Sequence, residues 1–390
     1  MTDMKKENEI RKSEIISNLK ICLKDRGMTQ RDLSVLLNKK EPEISRWLSG
    51  RTCISKKNQE LLEKTLGTPL SSDSMFVASH KTVNIGIIGT GDMAQRFVNE
   101  AKFVKDIVIA TAYNPDIHQA INFCKSNNIP ICSKSTDELM DNSDAVYIAS
   151  PIDSHYEYII AAIQKRKHIL CEMPFLLTDK EITDVFKLAS KKNVVLMPAL
   201  KTAYCPSFLQ IASYAESGII GEIVDISATV TNLLSENVSS DFSNERMLEN
   251  LSYPIHCIFK FLGYNYRSFN CFVKKNGNRT LFANVTLKYA DAVGSFKVGV
   301  GVKSEGSLVI SGTKGYIYVP APWWKPDYFE IRFENPAENK KFFFPYEEAG
   351  LRYETAMFRD RIRHADMIIH VSTEELLKMT ALQNRIFNST

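Results

Sequence analysis

"VNIGIIGTGDMAQRFVNEA", Val83 to Ala101, decides the fold of most of this chain. Val83–Ile88 is a largely apolar run of the length of a buried strand. Gly89-Thr90-Gly91-Asp92-Met93-Ala94 follows, and then a run of helical periodicity. In such a turn Gly89 permits the sharp bend and Gly91 lets the backbone approach a pyrophosphate. Small Ala94 lets the helix pack closely on the strand. The pattern therefore predicts a dinucleotide site on residues 89–94. The next strand, "IVIATAYN", ends at Tyr113 and Asn114, where a carboxylate for the ribose diol of NAD is common. Here no carboxylate repels a 2′-phosphate and no arginine attracts one, so the expected cofactor is NAD or NADP, with the choice open.

Working outward toward the C-terminus, "NIPICS", "AVYIAS", "HILCEM" and "NVVLMPAL" are apolar runs separated by helical stretches, as a doubly wound parallel sheet requires. Beyond residue 202 the pattern changes. "FNCFVKK", "LFANVTLKYA", "VGSFKVGVG" and "SLVISGTKGYIYV" alternate with period two and predict a second, largely antiparallel sheet.

Toward the N-terminus the chain reads differently again. "SEIISNLKICLKDRG" puts Ile16, Leu19 and Leu23 on one helical face, flanked by Ile15 and Cys22, with a stop at Gly27. "MTQRDLSVLL" starts a second helix with Thr29 as N-cap and Leu33, Leu36 and Leu37 inward. "PEISRWLSG" supplies a third, with Ile44, Trp47 and Leu48 inward, and "KKNQELLEKTLG" a fourth through Leu61, Leu62 and Leu66. Two short helices joined tightly and flanked by others form a helix-turn-helix. Residues 1–70 hold 15 Lys+Arg against 10 Asp+Glu, a net of +5, whereas the whole chain is +4, so the other 320 residues net −1. The positive excess lies with the helical module and suits a polyanion.

The remaining bounds are those of an ordinary globular protein. The 390 residues exceed one core, and 44% hydrophobic with 24% charged content is unexceptional. No apolar run reaches membrane-spanning length and the first residues lack a signal-peptide core, so a cytoplasmic protein without membrane contact is expected. The 8 cysteines include no C-x-x-C pair, which argues for reduced thiols and against a metal site.

Two resemblances rest on these residues. "MTQRDLSVLL" and "EISRWLSG" resemble the Cro/phage-repressor type of helix-turn-helix, especially its antitoxin-like subgroup. The resemblance implies a recognition helix over residues 41–48. Thr29 and Gln30 would hold a phosphate, and Lys40, Ser45 and Arg46 would touch backbone or bases. Glu43 faces the same way, either to accept from a cytosine amino group or to repel phosphates. "DELMDNSDAVYIASPIDSHYEYIIAAIQKRKHILCEMPFLLT" resembles the glucose–fructose oxidoreductase / inositol dehydrogenase / rhizopine-catabolism (Gfo/Idh/MocA) family. That resemblance implies that Ser150, Pro151 and His155 lie along the nicotinamide side of the cofactor and that Glu172 supports it. It also implies a sugar-like small-molecule ligand and an outer sheet face that builds a homodimer or homotetramer.

The departures matter as much. Family strands end Glu-Lys-Pro, the lysine serving the oxygen of the reacting carbon, but here the residues are Glu172-Met173-Pro174. A thioether has no proton to give. The family's Asp-x-Gly-x-His/Tyr corresponds to Glu249, Leu251 and Tyr253 in "RMLENLSYPIH", without the Gly-rich approach. Lys201 and Tyr253 are the residues able to restore acid–base catalysis. The expected organisation is a helix-turn-helix over 1–67, a linker over 68–82, a Rossmann domain over 83–202 and an α/β domain with C-terminal helices over 203–390. Three functions fit. One is a DNA-binding regulator whose oxidoreductase-like body senses a dinucleotide or sugar ligand. Another is an active dehydrogenase on a sugar or sugar nucleotide using Lys201 and Tyr253. The third is a pair of interaction modules.

Overall fold

The computed structural model describes residues 15–23, 28–37, 39–66, 70, 82–176, 178–233, 240–344, 346–364, 367 and 369–389. It divides into two compact units, residues 1–81 and 82–390. The stop at Gly27 and almost all of the linker over 68–82 lie outside the described residues.

The first unit is helical: α1 over 15–23, α2 over Gln30–Leu36, α3 over Glu41–Leu48 and α4 over Lys56–Leu66. Its core gathers Ile15, Leu19, Leu23, Leu33, Leu37, Ile44, Trp47 and Leu62, among others. Thr29 caps α2 in a reciprocal capping box with Asp32. Three inward assignments change. The α1 stripe runs through Ile15, Leu19 and Cys22, with Ile16 only half-buried. Leu36 is 49% and Leu61 38% exposed. The reason is geometric: a two-turn helix gives a small core one i, i+4 pair, and α2 uses Leu33 and Leu37. On α4 the inward row is Gln59, Leu62 and Leu66, with the Gln59 amide donating to Glu63 at 2.9 Å.

The second unit opens with a six-stranded parallel sheet: β1 Val83–Ile88, β2 Ile107–Tyr113, β3 Ile131–Cys132, β4 Ala145–Ile148, β5 His168–Glu172 and β6 Leu196–Ala199. Their order is β3-β2-β1-β4-β5-β6, with the reversal of winding between β1 and β4. The crossover helices are α5 Asp92–Ala101, α6 Ile117–Asn127, α7 Thr136–Asp141, α8 His155–Gln164 and α9 Asp179–Lys192. Strands β1, β4, β5 and β6 are apolar on both faces because helices cover both, which is why their sequences do not alternate.

A short 3-10 turn, Lys201–Tyr204, leads to α10, Pro206–Glu216, and then to a second sheet of eight strands. These are β7 Ile223–Asn232, β8 Ser268–Asn276, β9 Arg279–Lys288, β10 Val293–Val300, β11 Leu308–Gly312, β12 Tyr316–Val319, β13 Tyr328–Arg332 and β14 Lys340–Phe343. The order is β14-β13-β12-β11-β7-β10-β9-β8. One pairing, β7 with β10, is parallel. After β7 the chain leaves through α11, Ser240–Leu262, re-enters at the far edge as β8 and works inward, so β10 arrives in the direction of β7. Helix α11 packs on β7, β9 and β10. The last helices are α12, Leu351–Arg363, and α13, Thr373–Phe387, and α12 returns to pack on α5. Buried Glu100 of α5 fastens it there, accepting from the Ala349 amide at 2.9 Å and the Arg352 amide at 3.2 Å.

Candidate functional site

The strand register brings one set of residues to the C-terminal edge of the parallel sheet. Ile88 pairs with Ile148, Ile148 with Cys171, and Glu172 with Ala199. Gly89, Ser150, Met173 and Lys201 therefore follow the ends of four adjacent strands. Clefts at this edge, where the winding reverses, are where such sheets hold ligands.

The cradle at β1 has the required shape. Gly89 has φ +97° and lies so close to β4 that a Cβ there would sit 2.8 Å from the Ala149 carbonyl carbon and 3.0 Å from the Ser150 nitrogen. Gly91 is the N-cap of α5, with extended backbone at φ −80° and ψ −171° and no side-chain capping bond. Nothing lies within 4 Å of a Cβ built on it. An uncapped helix N-terminus facing open space suits a dinucleotide's pyrophosphate. Asp92 is exposed, Met93 half-buried, and Ala94 fully buried against the sheet. Asn114 donates to the Thr90 hydroxyl at 2.7 Å, which ties the β2 end to the turn, and Tyr113 is half-buried beside it.

Two residues that the resemblance sets on the cofactor side have hydrogen-bond partners within the chain. His155 is 2% exposed. Its Nε2 lies 2.9 Å from the Ser150 carbonyl, its Nδ1 3.1 Å from the Phe175 carbonyl and 3.4 Å from the Cys171 thiol. Burial holds its pKa below the usual value. Each ring nitrogen faces a backbone carbonyl, and a neutral ring has one proton to donate to one of them. His155 thus ties the β4 loop to the chain after β5. Glu172 is 8% exposed and receives the Tyr147 hydroxyl, so its carboxylate is also spent inside the chain. Burial is the main cause that pushes its pKa up to about 7, with nearby Glu249 adding to the shift and Tyr147 and Lys201 opposing it. The Ser150 hydroxyl pairs with that of Ser154 at 2.7 Å, while Pro151 is exposed.

The structure does bring Lys201 and Tyr253 together, and Met173 is buried at the end of the strand adjacent to β6. Lys201 is 7% and Tyr253 5% exposed, and the lysine ammonium stands 5.5 Å from the centre of the tyrosine ring. The Tyr253 hydroxyl donates to Glu249 at 3.1 Å, and the other Glu249 oxygen meets Arg246 at 2.6 Å. Burial, then Glu249, raises the tyrosine well above its ordinary pKa. Leu251 is completely buried, so it fills core. Sequence reasoning missed Lys325 and Glu354. Thr202 donates to the Trp324 carbonyl at 3.1 Å, across 122 residues, and so sets Lys325 beside Lys201. Glu354 of α12 is fully buried with neither carboxyl oxygen hydrogen-bonded. Burial, then Glu172, holds its carboxyl well above the usual range. No local motif marks either residue; "PWWKPDYF" offers only a lysine among aromatics.

On the helical unit, Lys40, Ser45 and Arg46 are exposed along α3. The Arg46 Nε donates to the Pro42 carbonyl at 3.2 Å, which leaves the rest of the guanidinium pointing outward. Glu43 is paired with Lys39 at 3.2 Å, so its charge is largely answered within the helix. At the α2 N-terminus the Asp32 carboxylate receives both the Thr29 amide and hydroxyl, and Gln30 is exposed next to it. The Thr29 hydroxyl is thus engaged by Asp32.

Comparison with known proteins agrees with both halves. Residues 83–200 match the sequence profile of the Gfo/Idh/MocA oxidoreductase family with an NAD-binding Rossmann fold, and residues 19–72 match a helix-turn-helix profile. A scyllo-inositol 2-dehydrogenase (NADP(+)) of Bacillus subtilis is 32% identical over 134 residues, covering 34% of this chain and 41% of that protein. A trans-1,2-dihydrobenzene-1,2-diol dehydrogenase of Xenopus laevis is 25% identical over 294 residues, covering 70% and 87%. Among solved structures, a 3-ketoreductase from Actinomadura kijaniata in complex with NADP and TDP-benzene is 18% identical. It aligns with a TM-score of 0.68 over 78% of this chain and 97% of its own.

Proposed function

We infer, from a Gfo/Idh/MocA-type oxidoreductase domain carried behind a helix-turn-helix, that this protein is a DNA-binding regulator. Its body binds NAD or NADP together with a hydroxylated, sugar-like ligand. The observation that carries this reading is the contrast at one sheet edge. The dinucleotide cradle at Gly89 and Gly91 has the needed geometry, while a buried thioether, Met173, stands where the resemblance implies a catalytic lysine. The bound dinucleotide would supply a hydride acceptor or donor. This chain's residues would hold it through the α5 N-terminus, with the β4 loop kept in place by His155. Removing a general acid/base costs about 10²–10⁴-fold in rate. Turnover that slow suits a body that reports occupancy. DNA contact falls to Lys40, Ser45 and Arg46, with Gln30 at the phosphate backbone.

Lys201 and Tyr253 favour a second reading, an active NAD(P)-dependent oxidoreductase. Lys201 and Tyr253 meet, and an ammonium with a phenol would supply the charge and the proton that a carbinol oxygen needs. One experiment separates the two. The natural protein, Lys201→Ala and Met173→Lys are compared on a panel of sugars and sugar nucleotides by NAD(P)H absorbance. In parallel, binding to the protein's own promoter is measured by gel shift with and without dinucleotide. The regulator reading expects no turnover by the natural protein and a shift that responds to dinucleotide. Turnover abolished by Lys201→Ala, with DNA binding indifferent to dinucleotide, overturns it in favour of the enzyme.

A further inference from the structure

We propose that the ligand held beside the dinucleotide carries an anionic group, a carboxylate or a phosphate, and that Lys201 and Lys325 receive it. This rests on the reading above that the body binds a dinucleotide and a hydroxylated ligand, and it names the ligand's class.

Lys201 is 93% buried, on the 3-10 turn that follows β6. Its ammonium makes no hydrogen bond or ion pair with any described residue; its neighbour is the face of Tyr253. Burying an ammonium without an anion is unfavourable, and native chains seldom do it without a use. Lys325 is half-buried and sits beside that turn because Thr202 holds the Trp324 carbonyl. Its side chain also lacks a hydrogen bond or ion pair among the described residues. Burial lowers its pKa, Lys201 and Arg96 lower it further, and Glu100 and Glu249 act the other way, so the two lysines are near enough to oppose one another.

Glu172 and Glu354 interact with Lys201, and Glu100 and Glu249 with Lys325, but among the described residues none of these acids forms an ion pair with either lysine. Glu249 is committed to Arg246 and Tyr253. Glu172 receives Tyr147. Glu100 is held by the Ala349 amide and by Arg352. Burial holds the Glu354 carboxyl well above the usual range, with Lys201 opposing, and neither of its oxygens is hydrogen-bonded. An incoming carboxylate or phosphate would pair with both lysines and relieve their repulsion. The cofactor's pyrophosphate is a poor alternative for Lys201. It belongs at Gly91, after β1, whereas Lys201 follows β6, three strands across the sheet. At about 4.8 Å per strand that is roughly 14 Å.

The test uses the full chain saturated with NADPH at pH 7, and equilibrium dialysis of inorganic phosphate, D-glucuronate and neutral D-glucose. Saturable uptake of at least one of the two anions is expected, about tenfold or more tighter than glucose. Phosphate alone would identify a phosphoryl group, and glucuronate alone a carboxylate. Lys201→Met and Lys325→Met should each weaken that uptake by about 10- to 100-fold, as loss of a charge-assisted bond does. NADPH affinity, read by its fluorescence, should stay unchanged in both. Methionine keeps the length and removes the buried charge, and circular dichroism checks that each variant folds. The proposal is overturned if neither anion saturates, if glucose binds equally, or if either variant keeps full anion uptake. It is also overturned if the lysine variants lose NADPH, because the lysines would then serve the dinucleotide. Absence of NADPH binding by the natural protein would count against the cofactor reading alone. Anion uptake would then be measured without it and judged by the same criteria.

Discussion

Two glycines, two residues apart, should fail in opposite ways when given side chains. Gly89→Ala adds a Cβ where φ is +97°, a conformation that disfavours an L-residue by about 1–2 kcal/mol. The new atom would also crowd the Ala149 carbonyl carbon at 2.8 Å and the Ser150 nitrogen at 3.0 Å. Both are backbone atoms at the end of a central strand and cannot rotate aside, which adds about 1–3 kcal/mol. The expected loss is therefore about 2–5 kcal/mol, a shift of roughly 1–2 M in urea midpoint for the second unit. Gly91→Val meets none of this. Its backbone is extended and nothing lies within 4 Å of the new Cβ, so stability should change by no more than about 0.5 kcal/mol. What the valine blocks is the approach of a pyrophosphate to the α5 N-terminus. Losing two charge-assisted hydrogen bonds there, at about 1.5–3 kcal/mol each, predicts at least ~10²-fold weaker binding. Urea unfolding followed by circular dichroism reads the first effect, and NADPH fluorescence titration the second. The reasoning is refuted if Gly91→Val binds NADPH like the natural protein, or destabilises as much as Gly89→Ala.

Other perturbations follow from the same geometry. Glu172 is raised from 4.5 to about 7, so between those values the folded chain keeps a proton that the unfolded chain has released. Stability therefore falls as pH rises through that window, by about 3 kcal/mol at most. Glu172→Gln keeps an acceptor for Tyr147 and should remove that component; parallel unfolding curves for the two proteins from pH 5 to 8 would contradict it. Arg46→Ala should weaken operator binding and lower the slope of log K against log salt by about 1 if the contact is to phosphate, measured by anisotropy. Trp47 is 2% exposed in the core of the helical unit, so Trp47→Ala should cost about 3–5 kcal/mol and abolish the gel shift. NADPH binding by the second unit should survive it; a parallel loss of NADPH would show that the two units fold as one.

Much was readable without coordinates. The turn at residues 89–94, the runs of β1, β4, β5 and β6, and the capped helices of the first unit all follow from local rules. A glycine that must bend, a strand buried on both faces and a threonine before a helix act on neighbours in sequence. Met173, where the resemblance implies a lysine, was equally plain, because its position is fixed by the strand before it and the proline after it. Finer details of burial were not. Leu36 and Leu61 have the same hydrophobicity as Leu37 and Leu62, and only the shape of a small core decides which of them it admits.

Tertiary structure decided what the sheet edge holds. His155 and Glu172 stand in the right motifs, yet both face partners within the chain, Ser150 and Phe175 for one and Tyr147 for the other. Side-chain direction depends on the packing of β4 against β5, which no residue type announces. Lys201 and Tyr253 lie 52 positions apart, and Lys325 joins them only through the Thr202–Trp324 hydrogen bond. Sequence by itself determined the two folds and the identity of Met173, because those depend on short-range pattern and on single identities. The grouping of Lys201, Tyr253 and Lys325 depended on long-range contacts such as the Thr202–Trp324 hydrogen bond. The energy of such a group lies in desolvation and in distances between charges, and neither exists until the chain has folded.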